Sequence, residues 1–206
     1  MRTSQRVAAG LAAATALAVS VAGCGGNKSS SPSGSTTSTT SAPSSAPAMS
    51  ATAQPTDYTG LLIQATDIDA PPPITFTASP PTNNPNGQPG VATTFSTAEN
   101  SHAIKDTIQV LSDPGAATNA LNAAKGAQAG AIKDPATEAA KVGADGTTLT
   151  GNAPDGSHSV GILLFTEGKA FVTLEFDGPA ESLPPPEFVT DIGQKQDDAV
   201  KKGLGG

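Results

Sequence analysis

The stretch Val160–Thr166 (VGILLFT), followed by the turn Glu167-Gly168-Lys169 and by Ala170–Phe176 (AFVTLEF), decides the fold. Both flanks are short, apolar and rich in residues that favour strands, and a glycine lies in the connection between them. This pattern predicts a β-hairpin, the strongest one in the chain. In its second strand we expect one face to point to the core (Val172, Leu174 and Phe176) and the other to carry Phe171, Thr173 and Glu175.

Further strands are predicted on both sides of this hairpin. Ala103–Leu111 places Ile104, Ile108 and Val110 at even steps, which puts them on one face of a strand. Apolar residues alternate with Thr, or lie in short runs between turn residues, in four other segments. These are Ile74–Thr77, Val91–Ser96, Ala139–Val142 and Thr147–Thr150.

Two helices complete the predicted order. Ser112-Asp113-Pro114 offers an N-cap followed by Pro at a first helical position, so we expect a helix over Ala116–Ile132. Glu187–Leu204 carries an apolar stripe at helical spacing (Phe188, Val189, Ile192, Val200 and Leu204). Tyr58–Ile68 is predicted as a short helical turn or docking segment. The fold class is therefore α+β, an antiparallel sheet of about five to six strands with two main helices on one or both faces, in a single domain over 57–206.

The N-terminus predicts export and lipid attachment. Arg2 and Arg6 precede the uncharged, apolar stretch Val7–Ala22, which is about 16 residues long and short for a spanning helix. The chain's one cysteine, Cys24, follows Val21-Ala22-Gly23. We therefore expect residues 1–23 to be a signal peptide and Cys24 to become the lipid-modified N-terminus. Because one acyl chain binds a membrane only marginally, a stable anchor takes two or three.

Residues 24–56 hold the lipidated cysteine and a stretch of Ser, Thr, Pro, Ala and Gly with one charge, Lys28. Such a composition cannot bury apolar area, so a disordered tether is predicted. For about 30 residues, the mean reach of a flexible chain is roughly 30 Å. Ser and Thr interspersed with Pro also resemble the O-mannosylated linkers of actinobacterial lipoproteins.

Composition narrows the function. Removal of residues 1–23 takes away both arginines of the chain and leaves nine lysines against 18 acidic residues. This acidic balance argues against nucleic acid as a partner and against a polybasic hold on anionic lipid. With no cysteine other than Cys24, the domain is expected to fold without disulfides, and thiolate metal centres and cysteine nucleophiles are excluded.

The lipobox-like Val-Ala-Gly-Cys24, the Ser/Thr/Pro tether and the opening Leu61-Leu62-Ile63…Asp67-Ile68 resemble small mycobacterial and actinobacterial cell-envelope lipoproteins. The loop Asn84-Pro-Asn-Gly-Gln-Pro-Gly-Val91 adds to this likeness. The order of strands and helices also resembles the fold of photosystem PsbP and nuclear Mog1 proteins. The resemblance implies a binding or accessory module, and it carries over no site residue.

Residues that could perform chemistry are few. His102 and His158 lie in predicted turns beside serines, and neither has a second ligand at a metal-site spacing. Gly156–Gly161 (GSHSVG) is not a nucleophile elbow, because a strand rather than a helix follows it. The pairs Asp67/Asp69 and Asp197/Asp198 are predicted to be solvated, and the Pro-broken Gly87–Gly90 does not suit phosphate. We expect no catalytic, cofactor-binding or metal-binding residue, and Pro80–Gly90 is the first candidate for a partner contact.

Two functions remain open. The first is a non-enzymatic binding or accessory module of the cell envelope, anchored by Cys24 on the extracytoplasmic side of the cell membrane, with an envelope protein as its partner. The alternative is a carrier or receptor for an apolar envelope ligand. That alternative rests on the Ala- and Gly-rich helix 116–132, whose small side chains either leave a cavity against the sheet or allow close packing on it.

Overall fold

The computed structural model describes residues 57–205. All of these residues belong to one compact unit. The predicted signal peptide 1–23, Cys24 and the predicted tether 24–56 lie outside the described residues, so those predictions stay predictions. The described elements are eight strands, two α-helices and three short 3₁₀ turns. The strands are β1 Thr77–Ala78, β2 Thr82–Asn83, β3 Gly90–Ser96, β4 Ala103–Val110, β5 Lys133–Ala139, β6 Ala144–Asn152, β7 His158–Glu167 and β8 Ala170–Pro179; the helices are α1 Pro114–Ala129 and α2 Pro186–Leu204.

All pairings in the sheet are antiparallel. The order is β1-β3-β4-β8-β7-β6-β5, and β2 also pairs with β3. The predicted hairpin is β7–β8, in which Phe165 lies opposite Val172. It forms the middle of the sheet, because β4 pairs with the other edge of β8. The α+β class is thus confirmed, with eight strands rather than the five to six expected; two of the eight have two residues each.

The sheet is covered on both faces. Along β8, Val172, Leu174 and Phe176 face a core that α2 closes with Val189, Ile192 and Val200. Phe171 points to the opposite face and is buried in a second core with Leu121 of α1. The predicted core face of β8 is therefore correct, but the face that carries Phe171 is also buried where α1 covers it. Thr173 and Glu175, beyond the end of α1, are partly exposed.

Helix α1 begins as predicted. The Oδ1 atom of Asp113 accepts a hydrogen bond of 2.9 Å from the backbone N–H of Ala116, and Pro114 follows the cap. The helix ends at Ala129 instead of Ile132. Ile132 is buried against the sheet, where a Cβ at Gly151 would lie 2.5 Å from its Cγ2 atom. The helix therefore ends before Ile132, whose side chain lies in the core.

Several predicted elements are displaced. The strand expected at Ile74–Thr77 is the short β1, and the one expected at Ala139–Val142 is β5, six residues earlier. β5 contains Pro135 and charged residues and is largely exposed, so it has no apolar alternation to indicate it. The predicted loop Pro80–Gly90 contains β2 and a 3₁₀ turn, Pro85–Gly87.

The segment that precedes β1 docks on α2, as the apolar opening predicted. It forms 3₁₀ turns at Thr59–Leu61 and Ala65–Asp67 and buries Leu61, Leu62 and Ile63. Gln196 of α2 is fully buried and binds the backbone of Leu61 and Ile63. No helix within residues 57–205 is long and apolar enough to cross a membrane.

Candidate functional site

A cavity of about 270 Å³ lies on the α2 face, where two proline-rich segments approach each other. The first segment, residues 70–76, contains Pro71-Pro72-Pro73, and the second, residues 182–186, contains Pro184-Pro185-Pro186. β4, β8 and α2 supply the rest of the lining. We call this site the proline-walled cavity; its lining residues are Ala70, Pro71, Ile74, Phe76, His102, Ala103, Ile104, Phe176, Asp177, Gly178, Ser182, Leu183, Pro184, Pro185 and Phe188.

The first wall is tied to α2 by one lysine. The ammonium group of Lys195 donates to the carbonyl oxygen of Asp67 at 2.8 Å and to Oδ2 of Asp69 at 2.6 Å. It also lies 2.9 Å from Oδ2 of Asp191 on its own helix. The hydrogen bonds to Asp69 and Asp191 raise the pKa of Lys195. The chain therefore enters the wall from a fixed point directly before Ala70.

The second wall folds back over the ends of β7 and β8. Ser159 donates from Oγ to the carbonyl oxygen of Ser182 at 2.7 Å, and Ser182 donates its N–H to Pro179. Pro184 packs over Gly161, where a Cβ atom would lie only 2.7 Å from the Pro184 Cγ. Gly161 is thus required by the close approach of the wall to β7.

The floor of the proline-walled cavity is aromatic and aliphatic. Phe176 of β8 and Phe188 of α2 meet edge to face, with ring centroids 6.1 Å apart and planes at 70°. Ile104 of β4 is fully buried beside them. At the rim, Leu183 is 48 % exposed and is the one exposed large apolar side chain of residues 57–205. A concave, mostly apolar site with a few polar groups at its edge is typical of a binding site.

Both histidines lie at the end of the sheet where β4 and β7 begin and β8 ends. His102 lines the proline-walled cavity and its Cδ2 lies 3.6 Å from the position of a Cβ on Gly178. His158 begins β7, opposite Pro179, and its Nε2 lies 3.8 Å from Oδ1 of Asp177. The prediction that both belong to turns is only partly right, because His158 belongs to a strand and neither is fully exposed.

Ser157, His158 and Asp177 are the residue types of a hydrolytic triad, but they lack its geometry. The Ser157 Oγ lies 2.8 Å from Nδ1 of His158, but it donates to Oδ1 of Asp155 at 2.7 Å in a tight turn. The separation of 3.8 Å between His158 and Asp177 is too long for a hydrogen bond. Ser157 is exposed in this turn and lines neither of the cavities described here. This arrangement does not provide an activated nucleophile facing a substrate pocket.

The acidic pairs have different roles from those expected. Asp67 accepts the Gln64 N–H at 2.7 Å, and Asp69 binds Lys195, so neither is merely solvated. Asp197 is buried rather than exposed and contacts Lys201 at 2.5 Å, whereas Asp198 is exposed. Burial, and then the charge of Asp197, raise the pKa of Glu167. Within the described residues, no three His, Cys, Asp or Glu side chains form a cluster that could hold a metal ion.

One carboxyl group lies in the core itself. Asp106 occupies an even position of β4 between Ile104 and Ile108, and its side chain is completely buried. Its neighbours across the ladder are Thr93 and Leu174. Neither carboxyl oxygen has a hydrogen-bond partner among the described residues, and burial raises the pKa of Asp106 well above its ordinary value.

A second, shallower cavity of about 630 Å³ lies between residues 59–64 and the start of the sheet, next to Pro80 and Pro81. It is lined in part by the loop predicted to contact a partner. Asn83 of that loop accepts the Tyr58 N–H at 2.8 Å, so the loop also holds the start of the described chain. No residue of α1 lines either cavity; α1 places Ala117 and Leu121, both fully buried, directly in the second core.

Sequence reasoning missed the proline-walled cavity. The available signal is the repeated rigid motif, since Pro71-Pro72-Pro73 and Pro184-Pro185-Pro186 each form part of one wall. Comparison with known protein families, curated proteins and solved structures finds no match for this chain. The resemblance to mycobacterial lipoproteins and to PsbP and Mog1 proteins therefore stays a prediction.

Proposed function

We propose that this chain is an exported bacterial lipoprotein that acts as a non-enzymatic binding module of the cell envelope. In this proposal Cys24 carries the acyl chains that hold it to the cell membrane on the extracytoplasmic side. The proline-walled cavity is the site at which it binds an envelope protein. The observation that carries the proposal is this cavity, an apolar, aromatic-floored recess with the exposed Leu183 at its rim.

The walls of the cavity suit binding because they are already ordered. Proline fixes its backbone φ angle, and each wall is held by hydrogen bonds to α2 or to β7. A preformed site loses little conformational entropy when it is occupied, so more of the contact energy remains as affinity. Phe188, which packs edge to face on the buried Phe176, is partly exposed, and aromatic side chains of this kind often dominate binding energies.

The size of the cavity favours a side chain of a protein over a whole lipid. Its volume of about 270 Å³ lies below the roughly 300–1,000 Å³ typical of sites that bury a small molecule. An apolar side chain from a partner would fill it while the surrounding surface met the rim. This is how anchor residues occupy pockets at protein interfaces.

The anchor is tested on protein from the native host, wild type beside Cys24→Ala. Intact mass and detergent phase partition are measured on both. We expect acyl mass on Cys24 and partition into detergent for the wild type, and neither for the variant. A wild-type protein that is an unmodified secreted species contradicts the anchor.

The binding site is tested by cross-linking and pull-down from native membranes. Leu183→Asp places a charge at the rim, and Ala123→Asp places the same residue on the exposed side of α1 as a matched control. We expect one protein to be recovered in stoichiometric amount with the wild type and with the control but not with Leu183→Asp. Recovery of the same background with and without residues 57–204 contradicts a binding module.

The second candidate is a carrier or receptor for an apolar envelope ligand. The apolar lining of the proline-walled cavity, rather than the helix 116–132, is the observation that favours it. Native mass spectrometry of protein from the native host tests this candidate. A bound small molecule that is absent from a Phe188→Ala variant supports it, and a ligand-free spectrum of the wild type counts against it.

A further inference from the structure

We propose that the partner segment recognised by the proline-walled cavity presents an apolar side chain flanked by Lys or Arg. This inference rests on the proposed function and specifies its partner by charge. The argument comes from the charged residues next to the lining, among which acidic groups exceed basic ones.

Beside the first wall, the ammonium group of Lys195 forms ion pairs with two carboxylates. Lys195 contacts Asp69 at 2.6 Å and Asp191 at 2.9 Å, so this cluster keeps one unbalanced negative charge. Asp69 directly precedes Ala70 of the lining, and its side chain is 81 % exposed. The unbalanced charge is therefore presented to solvent next to the cavity.

Two further acids at the rim have no basic partner. Glu181 directly precedes Ser182 of the lining, and Glu187 directly precedes Phe188. Both residues are exposed, and neither forms an ion pair with any residue in 57–205. An apolar site inside such a rim attracts cationic segments and repels anionic amphiphiles such as fatty acids.

The probes are two fluorescein-labelled hexapeptides with the same apolar centre, Lys-Lys-Leu-Phe-Lys-Lys and Glu-Glu-Leu-Phe-Glu-Glu. Fluorescence anisotropy is measured with the full lipidated protein in nonionic detergent, with protein-free detergent as the blank. Two charge reversals are compared: Glu187→Lys at the rim, and Glu138→Lys on the exposed edge strand β5. Both change the net charge equally, and thermal unfolding checks that both variants fold.

We expect the cationic peptide to bind the wild type at least about tenfold more tightly than the acidic one at low salt, with a smaller difference at high salt. Glu187→Lys should weaken binding of the cationic peptide about three- to fivefold, whereas Glu138→Lys should leave it unchanged. Equal binding of both peptides, or loss of affinity with either reversal alike, overturns the charge inference.

Failure of the charge inference is distinguishable from failure of the proposed function. If neither peptide binds but recovery of the membrane partner still depends on Leu183, the cavity binds a partner of other chemistry and this inference is wrong. If recovery of the membrane partner does not depend on Leu183, the proposed function fails, whatever the peptides do.

Discussion

The side-chain amide of Gln196 donates a hydrogen bond of 2.6 Å to the carbonyl oxygen of Leu61, 135 positions earlier in the chain. The same amide accepts the Ile63 N–H at 3.1 Å, and Gln196 is fully buried. One side chain of α2 therefore satisfies a donor and an acceptor of the irregular segment that covers the core. Without it, both backbone groups would be buried without partners.

Gln196→Leu should lower the free energy of unfolding by about 2–4 kcal/mol, because each orphaned buried polar group costs about 1–3 kcal/mol. Gln194→Leu, at an exposed position of the same helix, is the control and should change it by less than about 0.5 kcal/mol. Urea unfolding measures both. Equal effects of the two substitutions contradict a bonding role for Gln196.

The effect of Asp106→Asn on the free energy of unfolding should depend on pH, with a stabilising effect only at high pH. In the unfolded chain the carboxyl group titrates near ~3.9, whereas burial raises its pKa in the folded state. The folded state therefore binds the proton more tightly, so wild-type stability falls as pH rises from the unfolded pKa through the raised folded one. Because Asn cannot ionise, the variant does not lose stability in this way as pH rises.

We expect Asp106→Asn to be more stable than the wild type at pH 8 and no more stable at pH 4. Urea unfolding of both proteins across this range measures the difference. A difference that stays constant with pH would show that burial does not raise the pKa of Asp106 in the folded state.

Asp113→Ala should show the opposite pH dependence. Asp113 caps α1 through Ala116, and this hydrogen bond lowers its pKa in the folded state. The stabilisation from the cap is therefore present above the unfolded pKa and is lost as pH falls through the lowered folded pKa. At pH 7 the substitution should lower the stability of the domain, because the N–H of Ala116 loses its cap. Thermal unfolding of the wild type and the variant at pH 7 and pH 2.5 measures this difference. A loss of stability that is as large at pH 2.5 as at pH 7 contradicts the prediction.

Gly161→Ala should disrupt the second wall of the proline-walled cavity. The new methyl group would lie 2.7 Å from Cγ of Pro184, which a proline ring cannot easily avoid. We expect a loss of about 1–3 kcal/mol in unfolding free energy, together with loss of partner recovery in the membrane pull-down. Gly126→Ala is the control, since no atom lies within 4 Å of its Cβ position and Ala favours the exposed helix. Retained stability with Gly161→Ala would contradict the close approach.

The regular part of the fold could be predicted because its residues follow simple periods. In the β7–β8 hairpin, inward-facing residues alternate along the strands, and in α2 the apolar residues recur at helical spacing. Each element buries a continuous apolar face in this way. β5 could not be predicted from its sequence. It is an exposed edge strand with Pro135, held by its pairing with β6 and not by its own apolar pattern.

The candidate site could not be predicted because it depends on long-range contacts. Pro71 and Pro184 are far apart in the chain and line one cavity only because α2 and the hairpin bring their segments together. Asp197 and Asp198 are both predicted to be solvated, but the register of α2 turns Asp197 inward and leaves only Asp198 exposed. The burial of Asp106 could have been predicted from the sequence, because Asp106 shares the even, inward-facing positions of β4 with Ile104 and Ile108.

The two ends of α2 make the domain mechanically asymmetric. Near its C-terminal end, Gly203 packs on Leu61, and the first described residues are held by Asn83 and Gln196. Phe188, at the proline-walled cavity, lies 15 residues earlier, about 22 Å away along the helix axis. A pull on the chain ahead of Asp57 is therefore resisted by the hydrogen bond of Asn83 and by contacts with the middle and C-terminal end of α2, whereas the cavity lies at the N-terminal end of this helix. If the chain is anchored through Cys24 as proposed, tension on the anchor would load the hydrogen bonds of Asn83 and Gln196 before it deformed the proline-walled cavity.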